Sequence, residues 1–333
     1  MKAVLRVFCT VLGLACMLQV AYAQATDGEE FPVSDLVSGK RISKDECAAI
    51  RDAVWVEHRE GTECIRFYAS SNVKGARQAA LFFDGDLLEG RFLLHGAYTD
   101  NRASALRKTA EGLAKVNAVP YIFVARPGTY GSSGNHLERR RPKEYLSLNA
   151  AIDAIKARYG FETVHLGGQS GGAASVGAVL TLGRTDVICA VATSGPYDAL
   201  ARADEIAARN GWQKRGCDVT GSGYCDTYNV TDHVDGVSKS ERRRIFIIGD
   251  PTDVRTPFKF QKTFAEKLKA AGHDVTLVEA EARGPDHHGL VHMANRTLGW
   301  CNAGFDRERI TSLIRSNALA LHAPKAKQAE GEP

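Results

Sequence analysis

The chain has 333 residues, 44% of them hydrophobic and 25% charged, the balance of an ordinary globular protein rather than a disordered or collagenous one. Its formal charge is only +4, from 43 Lys and Arg against 39 Asp and Glu. The basic residues are scattered, which argues against a nucleic-acid partner. Two basic clusters, Arg139-Arg140-Arg141 with Lys143 and Arg242-Arg243-Arg244, read as solvated flanks of helices or strands.

The N-terminus has the layout of a secretory signal peptide. A basic start from Met1-Lys2 to Arg6 precedes an apolar stretch over residues 7–20. Ala21-Tyr22-Ala23 then offers small residues at the two positions a signal peptidase reads, so cleavage is expected after Ala23. The apolar stretch is short for a membrane span of about 20 residues, so no stable membrane insertion is expected once it is removed. Gly13 stands where a lipid-attachment motif at Cys16 would carry leucine. The expected location is secreted or periplasmic.

Of eight cysteines, Cys9 and Cys16 fall in this leader. The other six form an even set in an exported chain, which fits disulfides. Proximity pairs Cys47 with Cys64 and Cys217 with Cys225, leaving Cys189 with Cys301. No Cys-x-x-Cys spacing suggests zinc.

Residues 24–45 are polar. A short helix is expected near 45–53, followed by strand-like runs at 54–58 and 64–69 around a Gly-bearing turn, a β-hairpin. From residue 79 the pattern changes. Apolar runs at 79–83, 120–125, 163–166, 187–192, 245–248 and 275–278 alternate with helical stretches near 101–115, 143–159, 171–182 and 257–271. Runs apolar throughout fit a mostly parallel sheet covered on both faces, and the strand–helix alternation predicts an α/β fold. The helix at 257–271 opens with Pro257 and stops at Gly272. Between 196 and 240 the alternation breaks in a glycine-bearing stretch too long for a simple connection. It reads as a cap or lid insertion. The expected organisation is a signal peptide (1–23), an N-terminal extension with the hairpin (24–78), a main domain (79–320) with its insertion (about 196–240), and a disordered tail (321–333). Asn229-Val230-Thr231 fits a glycosylation triplet, a pattern frequent by chance.

The strongest chemical signal is Gly168-Gln169-Ser170-Gly171-Gly172, between an expected strand and an expected helix. In that setting Gly-x-Ser-x-Gly is a nucleophile elbow. Small residues two before and two after Ser170 are required where strand and helix come close. The turn would raise the hydroxyl at the carboxyl end of the sheet and aim the Gly171 N–H at a substrate carbonyl. A serine hydroxyl needs a base, oriented by an acid. Carboxylates and histidines follow in the needed order, in Gly249-Asp250-Pro251-Thr252-Asp253 and in Asp286-His287-His288-Gly289.

With these residues the chain resembles the α/β-hydrolase superfamily over roughly residues 79–318, with a distant similarity to its prolyl-oligopeptidase-like and esterase branches. The resemblance implies an α/β-hydrolase fold and a serine hydrolase without cofactor or metal. Its Asp-x-x-x-Pro turn corresponds to Asp253 and Pro257, with Asp250 as the rival acid. A small residue after the base favours His288, with His287 as the alternative. The second oxyanion donor is assigned to the Asp86 N–H, after Gly85, where the family often has His-Gly and this chain has Asp84. The run Arg126-Pro127-Gly128-Thr129-Tyr130-Gly131 corresponds to a family loop in which the arginine braces the pocket floor. Tyr130 and Tyr197 are candidates for lining the pocket. A metal cluster of Asp286, His287, His288 and His292 lacks matching ligands elsewhere. The expected substrate is a small-molecule ester or a short peptide, with the ester preferred; a catalytically silent binding protein on the same fold is the alternative.

Overall fold

The computed structural model describes residues 30–320 apart from 90–92, 95–97, 99–100 and 215. The expected signal peptide and the tail after residue 320 lie outside the described residues.

Eight strands form one sheet: β1 (Ala53–His58), β2 (Gly61–Ala69), β3 (Gln78–Phe83), β4 (Tyr121–Val124), β5 (Thr163–Gln169), β6 (Val187–Thr193), β7 (Arg244–Gly249) and β8 (Val275–Glu279). Their spatial order is β1-β2-β4-β3-β5-β6-β7-β8. The β1–β2 hairpin is antiparallel and joins β4 antiparallel, while every pairing from β4 to β8 is parallel. The sheet is therefore mostly parallel, as the unbroken apolar runs require.

Each run is apolar throughout because alternate residues enter different cores. Leu81, Phe83, Leu166, Ala190 and Ile247 face one core with helices α2 (Pro142–Tyr159), α3 (Gly171–Thr181) and α5 (Phe258–Ala270). Ala80, Phe82, Val191, Phe246 and Ile248 face the other core with α1 (Ala103–Asn117), α6 (Val291–Asn302) and α7 (Arg307–Ala320). The periodicity did not single out α6 and α7. Their apolar residues, such as Met293, Leu298, Ile310 and Ile314, are diluted by His292, Arg296, Arg307 and Arg309.

The cysteines pair as Cys47–Cys64, Cys189–Cys301 and Cys217–Cys225. The first ties the short helix Lys44–Ala49 to β2, and the second ties β6 to α6. Residues 196–240 contain a further helix, α4 (Ala199–Arg209), whose N-cap Asp198 accepts from Ala201 N. They end in a 3₁₀ stretch, Val230–Gly236, whose Val230 and Val234 join the core beside α3. Asn229 is buried there: its side-chain oxygen accepts from Ala199 N at 2.8 Å and its amide donates to Asp232 at 2.9 Å.

The basic clusters are solvated flanks only in part: Arg242 is exposed, and Arg141, Lys143 and Arg244 are half-buried. Arg139 and Arg140 are buried because Asp86 pairs with both. Arg243 is buried because Val187, Ser238 and Arg184 offer it main-chain oxygens.

Candidate active site

Parallel strands bring their carboxyl ends to one edge, and the loops after β3, β5, β7 and β8 gather there. Ser170 sits between β5 and α3 with φ 55°, a left-handed conformation costly for a non-glycine residue. The surrounding glycines allow it. A Cβ on Gly168 would collide with the main chain of Gly172, and one on Gly172 would collide with the carbonyl of Phe83. The loop after β3 passes so near that a Cβ on Gly85 would stand 3.4 Å from Ser170 Cβ.

Asp253 and His288 meet: His288 Nδ1 lies 2.8 Å from Asp253 Oδ2. The Asp253 carboxylate is fully buried and satisfied. Its Oδ1 accepts from Arg255 N and Thr256 N, and its Oδ2 accepts from the Thr256 hydroxyl. A carboxylate held by three donors fixes the orientation of the His288 ring that it contacts. Asp250 instead braces its own loop. It accepts from Thr252 N, the Thr252 hydroxyl and Ala282 N. Burial pushes its pKa up, but these hydrogen bonds prevail and hold it below the ordinary carboxylate value. His287 lies 3.5 Å from Asp250 with its ring half in solvent. Asp286 pairs with Arg255, so the three residues 286–288 point to different partners.

Ser170 is half-buried on the same rim, and its hydroxyl bonds no described residue, His288 included. The His288 backbone is nevertheless tied to the elbow. Gln169 Nε2 donates to His288 O at 2.7 Å, Gln169 Oε1 accepts from Leu290 N at 3.3 Å, and Ser194 Oγ donates to His288 O at 2.9 Å.

Gly171 N is the first amide of α3 and has no partner inside the helix; Asp86 N bonds no described residue. The Asp86 side chain is occupied. It takes Arg126 at 2.8 Å, pairs with Arg140, and has Arg139 at 3.5 Å. Burial alone would raise its pKa, but the Arg140, Arg126 and Arg139 guanidinium groups hold it well below the usual carboxylate range. Arg126 also donates to Glu144 at 2.7 Å and to Asp84 O at 3.3 Å, which makes it a brace beneath the loop after β3.

Neither tyrosine assigned to the pocket lines the rim openly. Tyr197 is wholly buried and stacks on Phe264 with ring centroids 4.3 Å apart, on the α3–α5 side of the sheet. Its aromatic bulk fills core space that the small residues of α3 leave. Tyr130 has φ 47° and is mostly buried; its hydroxyl donates to Asp84 Oδ2 at 3.0 Å. Thr256, Gln169 and Ser194 were not singled out in the sequence. A threonine one residue before Pro257 and the variable residue of the Gly-x-Ser-x-Gly motif were the available signals.

No protein-family model matches the sequence, and no curated protein matches it significantly. Solved structures do match. An esterase from Pyrococcus furiosus is similar over 89% of this chain and 97% of its own, at 16% identity and a TM-score of 0.52. Pyrococcus horikoshii acylaminoacyl peptidase matches 78% of this chain and 43% of its own, at 14% identity and a TM-score of 0.50. Est1E from Butyrivibrio proteoclasticus with ferulic acid bound matches 76% of this chain and 98% of its own, at 13% identity and a TM-score of 0.50. At such identities the likeness establishes a shared fold.

Proposed function

We propose, given the α/β-hydrolase fold of this chain, that it is a serine hydrolase cleaving carboxylic esters by acyl transfer. Ser170 attacks the ester carbonyl, and its proton passes to His288 Nε2. Asp253 holds the ring and stabilises its charged form. Gly171 N–H and Asp86 N–H receive the oxyanion. His288 protonates the leaving alcohol, and water then releases the acid from the acyl-enzyme. The supporting observation is the 2.8 Å contact between His288 Nδ1 and a fully buried Asp253 carboxylate, on the rim where Ser170 is held in a left-handed turn.

A fluorophosphonate probe tests this reading. It should label the protein at Ser170, and Ser170→Ala should abolish labelling; a folded protein that never labels would overturn it in favour of a silent binding protein. A peptidase is the second reading, drawn from the likeness to acylaminoacyl peptidase. Comparing p-nitrophenyl acetate with an aminoacyl-proline anilide separates the two, and turnover of the anilide alone would select the peptidase. The three disulfides support export to an oxidising compartment.

A further inference from the structure

The loop after β3 carries three main-chain amides in succession, and two of them are already taken. Gly85 N donates to Asp84 Oδ1 at 2.8 Å, and Leu87 N donates to His136 Nε2 at 3.1 Å. Asp86 N, between them, bonds no described residue. It lies beside the elbow: a Cβ on Gly85 would stand 3.4 Å from Ser170 Cβ, and one on Gly171 would collide with Asp86 Oδ1 and Arg126 Nη1. Gly171 and Asp86 are therefore side by side.

The loop after β4 supplies the groups that hold these amides. Tyr130 donates its hydroxyl to Asp84 Oδ2 at 3.0 Å, so both oxygens of the Asp84 side chain are engaged. Tyr130 is itself held at both ends of its backbone: its N–H donates to the Tyr98 hydroxyl at 3.0 Å, and its carbonyl accepts from the Tyr68 hydroxyl at 2.7 Å. These bonds keep it at φ 47°, a conformation costly for a tyrosine. His136 is buried. That burial, with the Arg126 and Arg139 charges, holds its pKa well below the ordinary value. A neutral ring accepts at Nε2 only when its proton is on Nδ1, and Nδ1 is buried without a partner. An apolar side chain in the same space would avoid that cost. What the imidazole supplies is the acceptor for Leu87 N.

Resting on the ester-hydrolase reading, we infer that Tyr130 and His136 are positioning residues for the second oxyanion donor. Tyr130, through Asp84, and His136 lock the amides on either side of Asp86 N and leave that N–H to meet the developing charge. Neither side chain touches the substrate. Their effect falls on the step in which negative charge gathers on the carbonyl oxygen, because the donor must stand ready before the charge appears.

Hexyl trifluoromethyl ketone isolates that step. Ser170 Oγ adds to the carbonyl carbon, its proton passes to His288, and the π pair of the carbonyl moves onto the oxygen, which becomes the anion. The alcohol made by reducing this ketone has nearly the same shape and forms no adduct. In Tyr130→Phe and in His136→Leu, kcat for p-nitrophenyl butyrate should fall about 10–100-fold with KM little changed. Ketone affinity should fall by about the same factor as kcat/KM, while the alcohol binds as it does to the wild type. His136→Gln, whose amide oxygen can accept from Leu87 N, should recover part of the loss. A folded Tyr130→Phe or His136→Leu protein with wild-type ketone affinity would overturn the inference, as would one that loses the ketone and the alcohol alike; both outcomes leave the hydrolase reading in place. Tyr130→Phe removes a single oxygen and carries the test if His136→Leu does not fold. Wild-type protein that neither turns over an ester nor takes up a fluorophosphonate would overturn the hydrolase reading itself, and this inference with it.

Discussion

Gln169 and His288 are bound to each other across 119 residues of chain, with Gln169 Nε2 donating to the His288 carbonyl at 2.7 Å. The residue just before the serine thus holds the loop that presents the imidazole. Thr193 completes the clamp by donating its hydroxyl to Gln169 Oε1 at 2.6 Å. Gln169→Leu keeps the volume and removes these bonds, leaving the His288 carbonyl with Ser194 and the Leu290 amide without this acceptor. We expect kcat to fall about 10–100-fold with KM little changed, because positioning errors act on the transition state. Fluorophosphonate labelling should persist at a reduced rate. A Gln169→Leu protein with wild-type kcat would show that the clamp is incidental.

The two aspartates after β7 should separate cleanly. Asp253→Asn removes the acceptor that fixes the His288 ring, and kcat should drop by about 10³–10⁴-fold. Asp250→Asn should instead cost stability. The Asp250 pKa is held below its ordinary value, so its ionised form contributes to stability above about pH 4. That contribution fades as pH falls through the lowered folded-state value. Thermal melts from pH 7 to pH 3 should therefore show a wild-type loss that is smaller in Asp250→Asn. A large activity loss in Asp250→Asn with stability intact would reverse the assignment.

Gly172→Ala places a methyl against the carbonyl of Phe83. Strand β3 and helix α3 must then separate, at a cost on the order of 3 kcal/mol. A fall of several degrees in Tm, with weakened probe labelling, is the expected result. Gly160, where a Cβ would meet nothing within 4 Å but φ is 76°, provides the comparison: its alanine variant suffers only backbone strain, about 1–3 kcal/mol, and should retain labelling.

The Cys189–Cys301 bridge closes a separation of 112 residues. Replacing both cysteines by alanine should cost about 2–5 kcal/mol, read as a lower denaturant midpoint. A midpoint equal to the wild type would show that the bridge adds nothing to the folded state.

Local chemistry is legible in the sequence, and long-range partners are not. The runs that became β3 to β8 were visible because both faces of a doubly covered strand are mostly apolar, as Ala79 through Phe83 show. The elbow was visible because Gly168 and Gly172 are sterically required at fixed distances from Ser170. Helix α4 stayed hidden because it lies inside the glycine-bearing stretch that reads as one insertion, and it buries only Ala199 and Ala207. Gln169 and His136 stayed hidden for another reason: their partners lie 119 and 49 residues away. Arg139 and Arg140 looked like surface charge because nothing in a triple arginine announces that Asp86 waits for it inside the fold.

Asn229 carries a consequence for making the protein. Both ends of its amide are used, one by the first residue of α4 and one by Asp232, and the side chain is shut away from solvent. An oligosaccharide transferred to the nascent Asn229-Val230-Thr231 triplet in a eukaryotic secretory host would have to be swallowed by the interior. Chains so decorated would be retained and degraded, whereas a bacterial host would leave the triplet untouched.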